Sequence, residues 1–182
     1  MEKETLKKDE IIMGCGKLYI TEFNGDKYED IPKDDVIEVE DNDTGYSQGG
    51  FSFEYKPTEY EVKNSCGEIV KRFIVSEEAT CKTGILTWNP KMLSRIHPVK
   101  YEEDESKKTR KITFGGAKAL KNVLVRFVHE KEGNKKLRLT MIGNCGSGFS
   151  MTFEGEKETV IDAEIKAINA IDGFLAEFRE EI

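Results

Sequence analysis

The sequence predicts a mainly β fold, all-β or α+β, built as an antiparallel β-sandwich or barrel flanked by one α-helix. Three observations predict it. Val123, Val125 and Phe127 alternate around Arg126, and Leu137, Leu139 and Met141 alternate around Arg138 and Thr140, with the turn residues Glu132, Gly133 and Asn134 between the two runs. Further β-branched and aromatic runs recur upstream, punctuated by Gly, Asn and Pro. Helix-start chemistry stands out at a single place, Asn89-Pro90.

In chain order, strands are expected at Lys17 to Phe23, Phe51 to Tyr55, Glu59 to Lys63, Ile69 to Val75 and Thr80 to Trp88. Asn89 can cap the helix, and Pro90 suits its first position because the missing N–H has no intrahelical partner there. Leu93 and Ile96 are spaced for one buried face, and the helix should end near His97-Pro98. The two alternating runs around Arg126 and Arg138 then form adjacent, half-buried strands. From Val160 to Ala167 the pattern fits both periods, since Ile161, Ala163, Ile165 and Ala167 alternate while Ile161, Ile165 and Ile168 form a helical stripe; a strand is expected. A last strand, Phe174 to Arg179, follows the Asp172-Gly173 turn. Residues 34–50, rich in Asp, Glu, Asn and Gly, and the densely charged residues 100–111 read as long solvated loops.

With 182 residues the chain fits one domain, residues 1–182, with residues 1–14 as an N-terminal arm. Its formal charge of -7 argues against a nucleic-acid grip, which needs clustered Lys and Arg on a net-basic face. Ile11-Ile12-Met13 is far shorter than a signal peptide's apolar region, so the chain is expected to stay in the cytoplasm where it is made, with no membrane partner. Cys15, Cys66, Cys81 and Cys145 show neither a C-x-x-C pair nor a neighbouring histidine, so reduced thiols are expected rather than disulfides or zinc.

The search for chemistry names no catalytic, cofactor or metal residue, and no enzyme activity is expected. His97 and His129 lack metal or triad spacing, so each reads as a packed or surface histidine. The run from Gly143 to Gly148 lacks the Gly-Lys-Ser/Thr ending of a phosphate loop, and Cys145 stands where a nucleophile elbow needs its first glycine. Glu59, Glu61, Glu77 and Glu78 sit where exposure is the default for carboxylates. Asn42-Asp43-Thr44 matches a glycosylation acceptor, which means nothing without secretion.

The stretch from Gly49 to Lys63, GGFSFEYKPTEYEVK, resembles the tail tube (major tail) proteins of tailed bacteriophages, in particular those of prophages of Gram-positive bacteria. The likeness continues through Lys71 to Glu78, Gly84 to Asn89, Arg126 to His129 and Glu158 to Glu164, and so covers roughly Gly49 to Ile182. The resemblance implies a β-sandwich with a flanking helix, homo-hexameric rings, and rings stacked into a hollow tube through which the genome passes. It also implies a place in the virion tail, with a tape measure protein, a tail terminator and baseplate or tip proteins as partners, and DNA only in transit.

On that reading the strand holding Tyr60 and Val62 offers Glu59, Glu61 and Lys63 as lumen-facing candidates, an acidic lumen letting phosphates slide rather than stick. Lys107, Lys108, Arg110 and Lys111 are the candidates for salt-sensitive ring stacking against an acidic loop. A tube subunit of a phage-derived bacteriocin or contractile injection system would share the fold without genome passage. A monomeric β-sandwich binding module would use an exposed aromatic patch instead.

Overall fold

The computed structural model describes residues 14–148 and 150–182. It is mainly β and antiparallel, with 49% of residues in strands. Nine strands occur among the described residues: β1 Lys17–Glu22, β2 Ser47–Lys63, β3 Ile69–Ile85, β4 Lys100–Asp104, β5 Thr109–Thr113, β6 Val123–Glu130, β7 Lys136–Asn144, β8 Ile161–Ala167 and β9 Ala176–Glu180. Two short helices accompany them, α1 Asp34–Ile37 and α2 Pro90–Ile96.

Seven strands form one sheet in the order β1-β6-β7-β8-β3-β2, with β9 also on β7, while β4 and β5 pair separately. The outer edge of β7 is shared: β9 lies along Leu137 to Met141 and β8 takes over at Gly143 and Asn144. The sheet folds over there, so its two halves face each other across one core. Phe51 of β2 stacks on Phe127 of β6 with ring centroids 4.3 Å apart, and Cys81 Sγ of β3 lies 3.5 Å from Met141 Sδ of β7. Ile20, Val123, Val125, Leu139, Ile161 and Ile165 fill the space between. The lead into β2 returns to the far edge, where Thr44 N–H donates to the Leu18 carbonyl at 2.9 Å, drawing the curled sheet toward closure beside β1.

The helix α2 forms as its start signals require. Asn89 Oδ1 accepts the Met92 N–H at 3.2 Å, Pro90 sits in the first turn, and Met92, Leu93 and Ile96 are buried against the core. His97 caps its exit, as expected.

Several expectations are corrected. Phe51–Tyr55 and Glu59–Lys63 belong to one strand, β2, and the two runs after them to one strand, β3. Pro57 and the polar Ser76-Glu77-Glu78 interrupt the apolar alternation but not the ladder, in which Pro57 pairs with Glu77 and Thr58 with Ser76. Residues 34–50 are not a loop: they hold α1, a 3-10 turn Glu40–Asn42 and the start of β2. The fully buried Ile37 anchors this strap, and Asp34 and Glu38 pair with Arg126 and Arg138 of the sheet. Residues 100–111 are not a loop either but most of the β4–β5 hairpin, because acids on one strand face bases on the other, as Glu102 faces Lys111. Of the N-terminal arm, residues 1–13 lie outside the described residues.

β6 and β7 are buried on both faces rather than half-buried. A second apolar layer of Tyr19, Phe23, Leu124, Val128, Ile142 and Ile171 packs beneath the strap on Ile37, and in it lie the buried side chains of Arg126 and Arg138.

Candidate assembly surface

β8 covers the edge of β3 only from Thr80 to Ile85. From Ala79 outward, β2 and β3 have only each other, and they leave the body as a two-stranded ribbon. The nine residues from Tyr55 to Lys63 span on the order of 30 Å at the usual strand rise. The tip is closed by Asn64, whose Oδ1 accepts the N–H groups of Cys66 at 3.0 Å and Glu68 at 2.9 Å, while Gly67 supplies the φ of 81° that the turn needs.

The ribbon is apolar and uncovered. Tyr60 is 61% exposed and Val70, Ile74 and Val75 are each 60% exposed, with Phe73 and Ile69 half-exposed beside them. Cross-strand register sorts its two faces: Tyr60 lies opposite Phe73 and Val62 opposite Lys71, whose Nζ sits 4.5 Å from the Phe73 ring centroid. The other face carries Glu59 opposite Ile74 and Glu61 opposite Arg72.

The structure therefore brings Glu59, Glu61 and Lys63 together, and adds Arg72, which the reading of the sequence missed. Arg72 NH2 lies 3.1 Å from Glu61 Oε1, Arg72 Nε 3.6 Å from Glu59 Oε2, and Lys63 Nζ 3.6 Å from Glu61 Oε2. Only the β2–β3 register could have revealed Arg72. Two acids and two bases leave this face charge-balanced rather than acidic, and such exposed pairs add little to stability.

Lys107, Lys108, Arg110 and Lys111 lie along β5 and the turn before it. Lys107 Nζ pairs with Asp104 at 2.9 Å and Lys111 Nζ with Glu102 at 3.5 Å. Lys108 and Arg110 are exposed and form no ion pair with any described residue.

Where the ribbon leaves the body, a groove of about 690 Å³ opens between β3 and the β8–β9 connection, lined by Phe53, Tyr55, Ala79, Phe174, Leu175 and Phe178. Phe53 and Phe178 meet edge to face with centroids 5.3 Å apart. Glu77 and Asp172 stand at its rim, Glu77 accepting a hydrogen bond from the Tyr55 hydroxyl.

The strap is held to the body by an ion network. Arg126 NH1 donates to Asp34 Oδ1 at 2.6 Å, Arg138 Nε to Glu38 Oε1 at 2.6 Å, Lys136 Nζ to Glu38 Oε2 at 3.2 Å and Arg179 NH2 to Asp34 Oδ1 at 2.5 Å. Burial alone would raise the carboxyls of Asp34 and Glu38, but the hydrogen bonds from these cations hold both below their ordinary values. Arg138 also donates to Glu181, which lowers that carboxyl as well.

His129 Nδ1 lies 2.8 Å from the Cys15 carbonyl, and His97 is buried, which pushes its imidazole pKa down. Cys81 is buried and its thiol is pushed up to about 12, whereas Cys15 and Cys66 are exposed. Gly143 and Asn144 end β7, and Cys145 is buried behind them. Among the described residues, no three or more His, Cys, Asp or Glu side chains gather as a metal site, and no helix is long and apolar enough to cross a membrane.

No protein-family model matches the chain, and no curated protein matches it significantly.

Proposed function

We propose that the chain is a structural subunit that works by self-assembly, forming hexameric rings that stack into the hollow tail tube of a bacteriophage. The observation that carries this reading is the β2–β3 ribbon. A two-stranded ribbon is marginal in water by itself, and this one shows solvent both its strand edges and large apolar side chains. Burial against further copies satisfies both demands at once: edges gain hydrogen bonds by strand addition, and Tyr60 and Phe73 on the apolar face lose contact with water. The resemblance of residues 49–182 to tail tube proteins supplies the ring and the tube. The balance of charge among Glu59, Glu61, Lys63 and Arg72 suits a surface that DNA crosses without being held, because phosphates meet no uncompensated cation there. Tape measure, terminator and baseplate or tip proteins are the partners of such a tube.

Negative-stain electron microscopy of the purified chain over a range of concentration and salt tests the proposal. Rings or hollow tubes of constant diameter are expected. A strictly monomeric particle under every condition, including with tail nucleating components added, overturns it. Tubes assembled in cells that never contain DNA would favour the bacteriocin or injection-system variant.

A further inference from the structure

Asn24 is followed by Gly25 in the connection that leads from β1 toward the strap. Gly25 is dictated by packing: a Cβ there would stand 2.5 Å from Asp30 Cβ and 2.8 Å from Phe23 Cζ. Nothing comparable holds Asn24. It is exposed, its side chain shares no hydrogen bond with any described residue, and the Gly25 N–H has no acceptor among them either. The side-chain carbonyl carbon of an asparagine and the amide nitrogen of the next residue can close a five-membered ring, and a following glycine has no Cβ to crowd that approach.

The other asparagines lack this combination. Asn89 precedes Pro90, whose nitrogen carries no hydrogen to lose. Asn42 is buried and donates to the Ile37 carbonyl at 3.0 Å. Asn64 is exposed and precedes the small Ser65, but its Oδ1 accepts the N–H groups of Cys66 at 3.0 Å and Glu68 at 2.9 Å, and its Nδ2 donates to the Glu68 carboxylate at 2.7 Å. Asn122, Asn134, Asn144 and Asn169 precede Val123, Lys135, Cys145 and Ala170, each of which places a Cβ beside the nitrogen that would attack.

We propose that Asn24 is a modification site, at which the folded chain deamidates without an enzyme. The Gly25 nitrogen bonds to Asn24 Cγ, the bond from Cγ to the side-chain nitrogen breaks, and ammonia leaves with the proton that Gly25 gives up. Water then opens the cyclic imide at either carbonyl, leaving aspartate or isoaspartate at position 24. One NH is exchanged for one oxygen, nothing is oxidised or reduced, and a chain of formal charge -7 gains one further negative charge. That charge enters a turn already carrying Asp26, Glu29 and Asp30. Isoaspartate also lengthens the backbone by one atom between two anchored points. One is Phe23, whose N–H donates to the Asn122 carbonyl at 3.0 Å; the other is Asp30, whose carboxylate accepts the N–H groups of Asp26 and Lys27 at 3.1 Å each. The reaction needs no second copy and is independent of the self-assembly reading.

The test incubates the purified chain and its N24Q variant in mildly alkaline buffer, with folding checked by circular dichroism. Samples are resolved by ion exchange and mapped by peptide mass, and isoaspartate is counted by enzymatic methylation. In the parental chain Asn24 is expected to be mostly converted before a second asparagine shows any conversion, with a more acidic peak growing in step. N24Q is expected to lose that peak, because the longer side chain must close a six-membered ring. Conversion of another asparagine ahead of Asn24, or an equal acidic peak in folded N24Q, overturns the proposal. Repeating the incubation in guanidinium chloride separates the fold's part from the sequence's. Asn64, freed from three hydrogen bonds, is expected to convert roughly a hundredfold faster than in the folded chain, and Asn24 to change far less. An equal acceleration at both positions would show that the fold protects Asn24 as well, and overturns the proposal.

Discussion

Replacing Tyr60 and Phe73 together by serine separates a folding role of the ribbon from an assembly role. The two side chains face each other across the ladder, 61% and 45% exposed. With roughly 200 Å² for a fully exposed aromatic side chain, about 120 and 90 Å² respectively stay in contact with water. Burying that area in an interface stabilises by up to about 5 kcal/mol at ~25 cal/mol/Å². Side-chain ordering and imperfect packing remove about half of it, leaving about 2 kcal/mol per contact, or roughly 30-fold in the concentration at which assembly begins. Within one subunit the same pair contributes less than about 1 kcal/mol as a cross-strand contact. Analytical ultracentrifugation against concentration, beside thermal unfolding of the monomer, reads both quantities. An unchanged assembly onset, or a large fall in Tm with assembly intact, would refute the reasoning.

Other predictions follow from the strap and the thiols. Glu38→Ala leaves Arg126 and Arg138 short of a partner in a buried layer and is expected to cost about 3 kcal/mol in urea unfolding; a loss under 1 kcal/mol would show that water substitutes for the carboxylate. The carboxyls of Asp34, Glu38 and Glu181 have folded pKa values below their unfolded ones, so the unfolded chain binds more protons between the two. Their contribution is present above the ordinary carboxylate range and is lost as pH falls through the folded values. Urea midpoints should accordingly drop from about pH 5 downward, less steeply in Glu38→Gln; a parallel drop in both proteins counts against the network. With a thiol reagent at about pH 8, Cys15 and Cys66 should react in the folded protein, while Cys81 and Cys145 wait for unfolding. Immediate reaction at four thiols would contradict the burial of Cys81 and Cys145.

The parts legible in the sequence were those written in short-range pattern. Residue alternation marked β6, β7 and β8, a β-branched and aromatic run marked β1, and the Asn89-Pro90 pair marked α2, because side-chain period and capping depend on neighbours within one turn or one pleat. The three lumen candidates were legible as residues of one strand, and the four stacking candidates as a basic run. How each is placed was not: Lys107 and Lys111 form ion pairs with Asp104 and Glu102, and Arg110 lies opposite Glu103 in the ladder. Residues 100–111 were misread because charge usually marks solvent, although here opposite charges on facing strands hold a hairpin together.

By itself, then, the sequence determined a mainly β chain with one well-capped helix and fixed the residue types on each strand. Only the tertiary structure decided how far the strands run, which of them are covered on both faces, and where a sheet edge stays open. Arg126 and Arg138 show why. Alternation says that they face away from Val125 and Leu139, but it takes a strap more than 80 residues distant, bringing Asp34 and Glu38, to make that other face an interior. The ribbon makes the opposite case: Phe73, Ile74 and Val75 have the composition of a core strand and lie in solvent because β8 ends opposite Thr80. Burial is a property of what a segment meets, and no local pattern encodes the partner.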